Sequence, residues 1–225
     1  MRNTKQEEPE LGSNKRRRMK RAGCSARAWV VLLLVFTAGV SADLYSKTLA
    51  FENIGEQPVK LDRETILRYP DWNPPIHEPT VVIPGVLQFR MVLNRGAVFG
   101  IGPGHRWFFV IFTMLAVVAA LSVFAFRTGA RQLVVHAALA CILAGAIGNV
   151  YDRIRYGAVR DFINMFPDVH LPFGWHWGNG SPEIFPWVYN VADMLLLCGI
   201  GLLMVRILWS GNKPSRGEGT EPTAG

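Results

Sequence analysis

Four long apolar runs constrain this chain more than any other feature. They fall at about residues 28–51, 106–126, 132–150 and 186–209. Each supplies about 20 residues, enough helix to cross a bilayer core of about 30 Å. A backbone inside hydrocarbon has no water to bond, so such runs read as α-helices. Only 18% of the residues are charged, against about 25% in an ordinary soluble domain. The sequence therefore predicts an all-α integral membrane protein with four transmembrane helices.

The flanks divide the chain. Residues 1–27 are polar and basic, and residues 211–225 are small and polar, so both read as disordered tails around one four-span domain, 28–210. Much of the formal charge of +7 sits in Lys15, Arg16, Arg17, Arg18, Lys20 and Arg21. Such a block can serve nucleic acid. Its place directly before an apolar run favours a cytoplasmic membrane flank instead, with no nucleic-acid partner. Arg127 and Arg131 flank the second connection, and Arg206 and Lys213 flank the end of the fourth span. Four spans put all of these on one side, with both termini in the cytoplasm and loops 52–105 and 151–185 outside. Arg153, Arg155 and Arg160 in the second loop weaken that bias. Val40-Ser41-Ala42 resembles a signal-peptide cleavage site. Three further spans, and the ionisable residues just beyond it, favour an uncleaved anchor.

The first outer loop carries Pro70, Pro74, Pro75 and Pro79, then Thr80–Ile83 and Val86–Val92, rich in strand formers and parted by Pro84-Gly85. These predict a small extramembrane β-sheet on the outer face that brings Asn94 to the membrane surface.

The three cysteines, Cys24, Cys141 and Cys198, show neither a disulfide framework nor metal spacing. Ala22-Gly23-Cys24 looks like a lipoprotein cleavage box, but basic residues rather than an apolar stretch precede it. The five histidines are scattered without ligand spacing, so no metal and no cofactor are expected.

Ionisable groups at membrane depth are costly and are candidates for function. Asp43 and Lys47 are four apart on one helix face, as an interfacial ion pair with a snorkelling lysine would be. Asn94-Arg95-Gly96 precedes the second span, its glycine suited to a tight turn. Asn149, Asp152 and Arg153 share one face at the end of the third span, and Asn190 and Asp193 share one at the start of the fourth. A carboxylate beside the apolar run Met194–Leu197 needs a partner or a water-filled cavity, though a structural hydrogen bond would also satisfy it. There is no Ser/His/Asp set. What remains is aspartates at the outer ends of the third and fourth spans. Two carboxylates held close share a proton, so one can act as base on water while the other polarises a carbonyl. That chemistry is peptide hydrolysis of the aspartic type. An ion pathway would place charges near mid-span, whereas here the second span has none from Phe108 to Phe126. A structural adaptor would not need paired aspartates with flanking asparagines.

Three motifs resemble one family. Asn94-x-Gly96-Ala97-x-Phe99, Gly148-Asn149-x-x-Asp152-Arg153-x-x-x-Gly157-x-Val159-x-Asp161-Phe162 and Asn190-x-Ala192-Asp193 are similar to those of the lipoprotein signal peptidases, or type II signal peptidases. Asp43 and Lys47 match that family's pattern at the end of its first span. The resemblance implies a four-helix membrane bundle with a small extramembrane sheet and a loop over the site. It implies an aspartic endopeptidase of the bacterial inner membrane, acting as a monomer near the outer face. The substrate would be a prolipoprotein whose cysteine already carries diacylglycerol, cut just before that cysteine. Asp161 and Asp193 would be catalytic. Asp43, Lys47, Asn94, Gly96, Asn149, Asp152, Arg153 and Asn190 would line or brace the site. The chain departs from the family at Tyr189, usually Phe, and at Met194, often small and polar. The segment from Asp161 to Asp193 also looks longer than usual and holds Trp175, His176, Trp177 and Trp187, aromatic residues suited to a membrane interface.

Overall fold

A computed structural model describes residues 21–96, 106–178 and 180–211. The expected tails therefore lie outside the described residues, except for 21–27 and Gly211; so do Ala97 and Phe99. The apolar runs form four long helices: α1 (Ala26–Asn53), α3 (Arg106–Ser122, continued by a π-helical turn, Val123–Arg127), α4 (Leu133–Arg155) and α5 (Val191–Gly211). All four are long and apolar enough to cross a membrane. A short helix, α2 (Arg63–Arg68), lies in the first loop. Four strands complete the fold: β1 (Thr80–Ile83), β2 (Leu87–Asn94), β3 (Val159–Met165) and β4 (Val188–Tyr189).

Two boundaries differ from the sequence reading. The N-terminal tail does not run to residue 27. Residues 22–24 make a 3-10 turn, the Ala22 N–H donates to the Thr128 carbonyl at 3.0 Å, and Ala22 is fully buried. Small residues permit this contact, since a Cβ on Gly23 would press on the Ala125 backbone. The fourth helix starts at Val191, not near 186. The apolar stretch before it forms β4 instead, and Asn190 caps the helix.

Helix α4 is central and packs on α1, α3 and α5. Its small residues allow close approach, as at membrane helix interfaces generally. A Cβ on Gly145 would collide with the Ala192 carbonyl oxygen of α5, and one on Gly39 would stand 2.8 Å from the Ala144 Cβ.

The strands form one antiparallel sheet in the order β1-β2-β3-β4. Pro84-Gly85 turns β1 into β2: Gly85 has φ +70° and the Val86 N–H returns to the Ile83 carbonyl at 3.0 Å, as a type II turn with Pro then Gly requires. The fold is thus helical with a β-sheet appended, not purely α. Phe51, Ile54, Ile66, Met91, Leu93 and Phe162 form a buried cluster joining the end of α1, α2 and the sheet. Register in the sheet places Val92 opposite Asp161, Asn94 opposite Val159 and Ile163 opposite Tyr189. The candidate residues of three chain segments therefore gather at one end of the bundle. Ala22 and the α3–α4 connection lie together at the other.

Gly145→Val should lower the thermal stability of the detergent-solubilised protein by about 1–3 kcal/mol, the usual cost of overpacking. Leu197→Val on the exposed face of α5 should have a smaller effect in the same unfolding measurement.

Candidate active site

The site is built on the N-terminus of α5, whose first N–H groups have no partner within the helix. Asn190 and Asp193 satisfy two backbone donors reciprocally. The Asp193 N–H donates to Asn190 Oδ1 at 3.1 Å, and the Asn190 N–H donates to Asp193 Oδ2 at 3.2 Å. This is a capping box made with Asn and Asp. The Ala192 N–H is satisfied from another helix, donating to Asp43 Oδ1 at 2.8 Å. Gly148 must lack a side chain because Asp43 Oδ2 occupies the place of its Cβ.

Lys47 joins the helices. It is fully buried, and its ammonium faces Asp43 Oδ2 at 2.8 Å, Asn149 Oδ1 at 3.1 Å and Asp152 Oδ2 at 3.4 Å. The Asp43–Lys47 pair anticipated from spacing is therefore present but internal: Lys47 does not snorkel. From Asn149 the network runs to both candidate aspartates. Asn149 Nδ2 donates to Asp193 Oδ1 at 2.8 Å. Asn190 Nδ2 donates to Asp161 Oδ1 at 2.6 Å and to Asn149 Oδ1 at 3.2 Å. Asn94 adds a side-chain hydrogen bond to Asp161. Three asparagines thus hold the carboxyls of a strand and a helix in one array.

The two carboxyls differ in setting. Asp161 is 1% exposed and Asp193 is half-buried. Burial, and next the charge of Asp193, push the Asp161 carboxyl up to about 8. The protonated form of Asp161 is thereby favoured through neutral pH.

All ten residues singled out from the sequence lie in or beside this cluster. Arg153 Nη2 donates to the Gly96 carbonyl at 2.9 Å, and the Gly96 N–H donates to Asn94 Oδ1 at 3.0 Å, so Arg153 ties the β2 exit to α4. Arg160 also belongs to the site, although in the sequence it is only one more loop charge. It is 4% exposed and grips Asp152, with Nη2 at 2.9 Å from Oδ1. Arg160 and Arg153 both bond inward. The Ala192 N–H was also missed, as backbone donors leave no mark in composition. The aromatic segment before α5 forms a ring chain: Trp177 to Trp187 at 4.7 Å, Trp187 to Phe185 at 5.4 Å and Phe185 to Tyr189 at 5.8 Å between centroids. Among the described residues, no three His, Cys, Asp or Glu side chains are grouped to hold a metal ion.

A family model described as signal peptidase (SPase) II matches residues 35–209. The chain belongs to the signal peptidase II family. That range holds the sheet, every residue of the cluster and most of each long helix. The chain is 36% identical over 140 residues to a lipoprotein signal peptidase of Methylobacterium sp. (strain 4-46), covering 60% of this chain and 74% of that one. It is 31% identical over 189 residues to a lipoprotein signal peptidase of Anaeromyxobacter sp. (strain Fw109-5), covering 79% and 84%. A solved bacterial membrane enzyme has the same fold, with TM-score 0.60 at 23% identity over 89% of this chain and 98% of that one. Family membership makes the protein a peptidase, and with its four apolar helices a multi-pass bacterial membrane protein.

Raised burial of Asp161 has a consequence for stability. A carboxyl lifted from an unfolded value of about 4 to about 8 adds stability that is complete below about pH 4 and is lost as pH rises to about 8. The unfolding midpoint of the detergent-solubilised parent should fall between pH 5 and pH 8 and level off above. Asp161→Asn should flatten that slope in the same melting series.

Proposed function

We propose that this chain removes signal peptides from prolipoproteins whose cysteine carries diacylglycerol, cutting just before that cysteine, with Asp161 and Asp193 as an aspartic pair. The observation that carries this reading is the Asn149–Asn190 array, which holds both carboxyls by hydrogen bonds of 2.6 and 2.8 Å.

The mechanism follows from the asymmetry of the pair. With the shared proton on buried Asp161, Asp193 is the base that takes a proton from water. Water attacks the scissile carbonyl while Asp161 donates its proton towards the carbonyl oxygen. The proton held by Asp193 then passes to the leaving amine, one hydroxyl of the gem-diol returns its proton to Asp161 as the carbon–nitrogen bond breaks, and the signal peptide departs with a new carboxylate. Asn149 and Asn190 keep the two carboxyls oriented throughout. Family membership and the relatives' names support the substrate class. Lipid chains attached near the cut would remain in the bilayer beside the spans, where α3 and α5 present apolar faces. The basic residues near the N-terminus and the α3–α4 connection support cytoplasmic termini, which puts the site near the outer face of the inner membrane. The chain carries every residue of the array itself, so a single chain suffices for the reaction.

The test is a gel assay of the purified protein against a diacylglyceryl-modified precursor, with mass analysis of the product. The parent should release a product beginning at the lipidated cysteine. Asp161→Asn and Asp193→Asn should each lower the rate by at least about a thousandfold, as loss of an acid or base together with its positioning does. Parent-like cleavage by either variant would refute the assignment.

A further inference from the structure

Asp161 receives its side-chain bonds from Asn190 and Asn94, and its position is inherited from strand β3. That strand is held unevenly. On one edge β2 pairs along it, with Leu93 opposite Arg160 and Asn94 opposite Val159, but the register slips between Phe89 and Val92. On the other edge β4 pairs only with Ile163 and Asn164. Beside Arg160 and Asp161 that edge has no partner strand.

The Asp152 carboxylate stands in its place. The Arg160 N–H donates to Asp152 Oδ2 at 3.0 Å, as a strand N–H would donate to a neighbouring carbonyl. The Arg160 side chain then closes on both oxygens of the same carboxylate, with Nη2 at 2.9 Å from Oδ1 and Nε at 3.3 Å from Oδ2. Its guanidinium lies 4.6 Å from the Tyr156 ring centroid, and Nη1 reaches Thr48 Oγ1 of α1 at 3.5 Å. Arg160 is therefore bonded to α1, stacked on the end of α4, and doubly tied to an α4 carboxylate. Side chains alternate across a strand, so the grip on Arg160 leaves Asp161 facing the asparagines. The turn from α4 into β3 is short, passing through Gly157 at φ +91°, so a fixed Arg160 fixes the next residue closely.

We propose that Arg160 is a positioning residue for Asp161: its bidentate grip on Asp152 replaces the missing edge of β3 and sets where the Asp161 carboxyl meets Asn190. This rests on the reading of Asp161 and Asp193 as the reacting pair. Charge alone would not suffice. The planar fork of arginine bonds a carboxylate in two places and stacks on a ring, whereas a lysine supplies a point charge.

The test uses the full chain in detergent with the diacylglyceryl-modified precursor, comparing Arg160→Gln and Arg160→Lys with the parent, each after a thermal unfolding measurement. Arg160→Gln should lower kcat by between about tenfold and about a hundredfold with KM within about twofold, the mark of a misplaced reacting group. Arg160→Lys should keep the parent's stability more closely yet still lose about tenfold in kcat. If Arg160→Gln does not fold, Arg160→Lys decides. A folded Arg160→Gln with parent kcat, a rise in KM with kcat unchanged, or full rescue by Arg160→Lys would each overturn the proposal. Asp161→Asn and Asp193→Asn in the same series separate the two readings. If they are inactive and the Arg160 variants match the parent, only the positioning role fails. If they cleave like the parent, the catalytic pair itself is wrong.

Discussion

A lysine ammonium buried between helices needs acceptors and counter-charge. Lys47 meets that need with hydrogen bonds to Asp43 and Asn149 and an ion pair with Asp152, and much of the site is a consequence. Removing one partner of a buried ion pair costs about 3–5 kcal/mol, so α1 and α4 cannot shift independently at this level. Each acceptor also has a second task. Asp43 caps α5 through the Ala192 N–H, Asn149 binds Asp193, and Asp152 holds β3 through Arg160. Asp43, Lys47, Asp152 and Arg160 carry two charges of each sign, so these four balance one another, and Arg153 adds a positive charge near Asp161 and Asp193.

The N-terminus of α5 supplies the other half. A helix start buried beside another helix needs acceptors, and Asp43 and the Asn190–Asp193 box provide them. Asp193 is thereby oriented by the helix it begins. Asp161 comes from a strand, reached by a different route, and Asn190 bridges the two. The contrast between a half-buried carboxyl on a helix end and a buried one on a strand is what makes the two carboxyls inequivalent.

The four spans were legible in the sequence because hydrocarbon leaves a long apolar run one stable choice. Their ends were less so. Pro186–Tyr189 is as apolar as a helix start, and only the strand pairing of Val188 and Tyr189 with β3 decides otherwise. Helical spacing correctly joined Asp43 to Lys47 and Asn149 to Asp152, but spacing does not report depth, and the pair at the end of α1 proved internal. The β1–β2 turn was legible from Pro84-Gly85. The third strand was not read as one, since Val159–Met165 continues the polar end of α4 without a break in composition. Arg160 was invisible for a similar reason: an arginine in a loop looks the same whether it faces solvent or a buried carboxylate.

Most of the proposed chemistry depends on Asp161 and Asp193 being held as a pair that keeps one proton at neutral pH. Infrared difference spectroscopy between the parent and Asp161→Asn in detergent tests this directly, because a protonated carboxyl has a carbonyl stretch that a carboxylate lacks. The parent should show a protonated carboxyl at pH 7 that vanishes in Asp161→Asn and titrates away near pH 8. A parent spectrum with Asp161 ionised at pH 7 would contradict it.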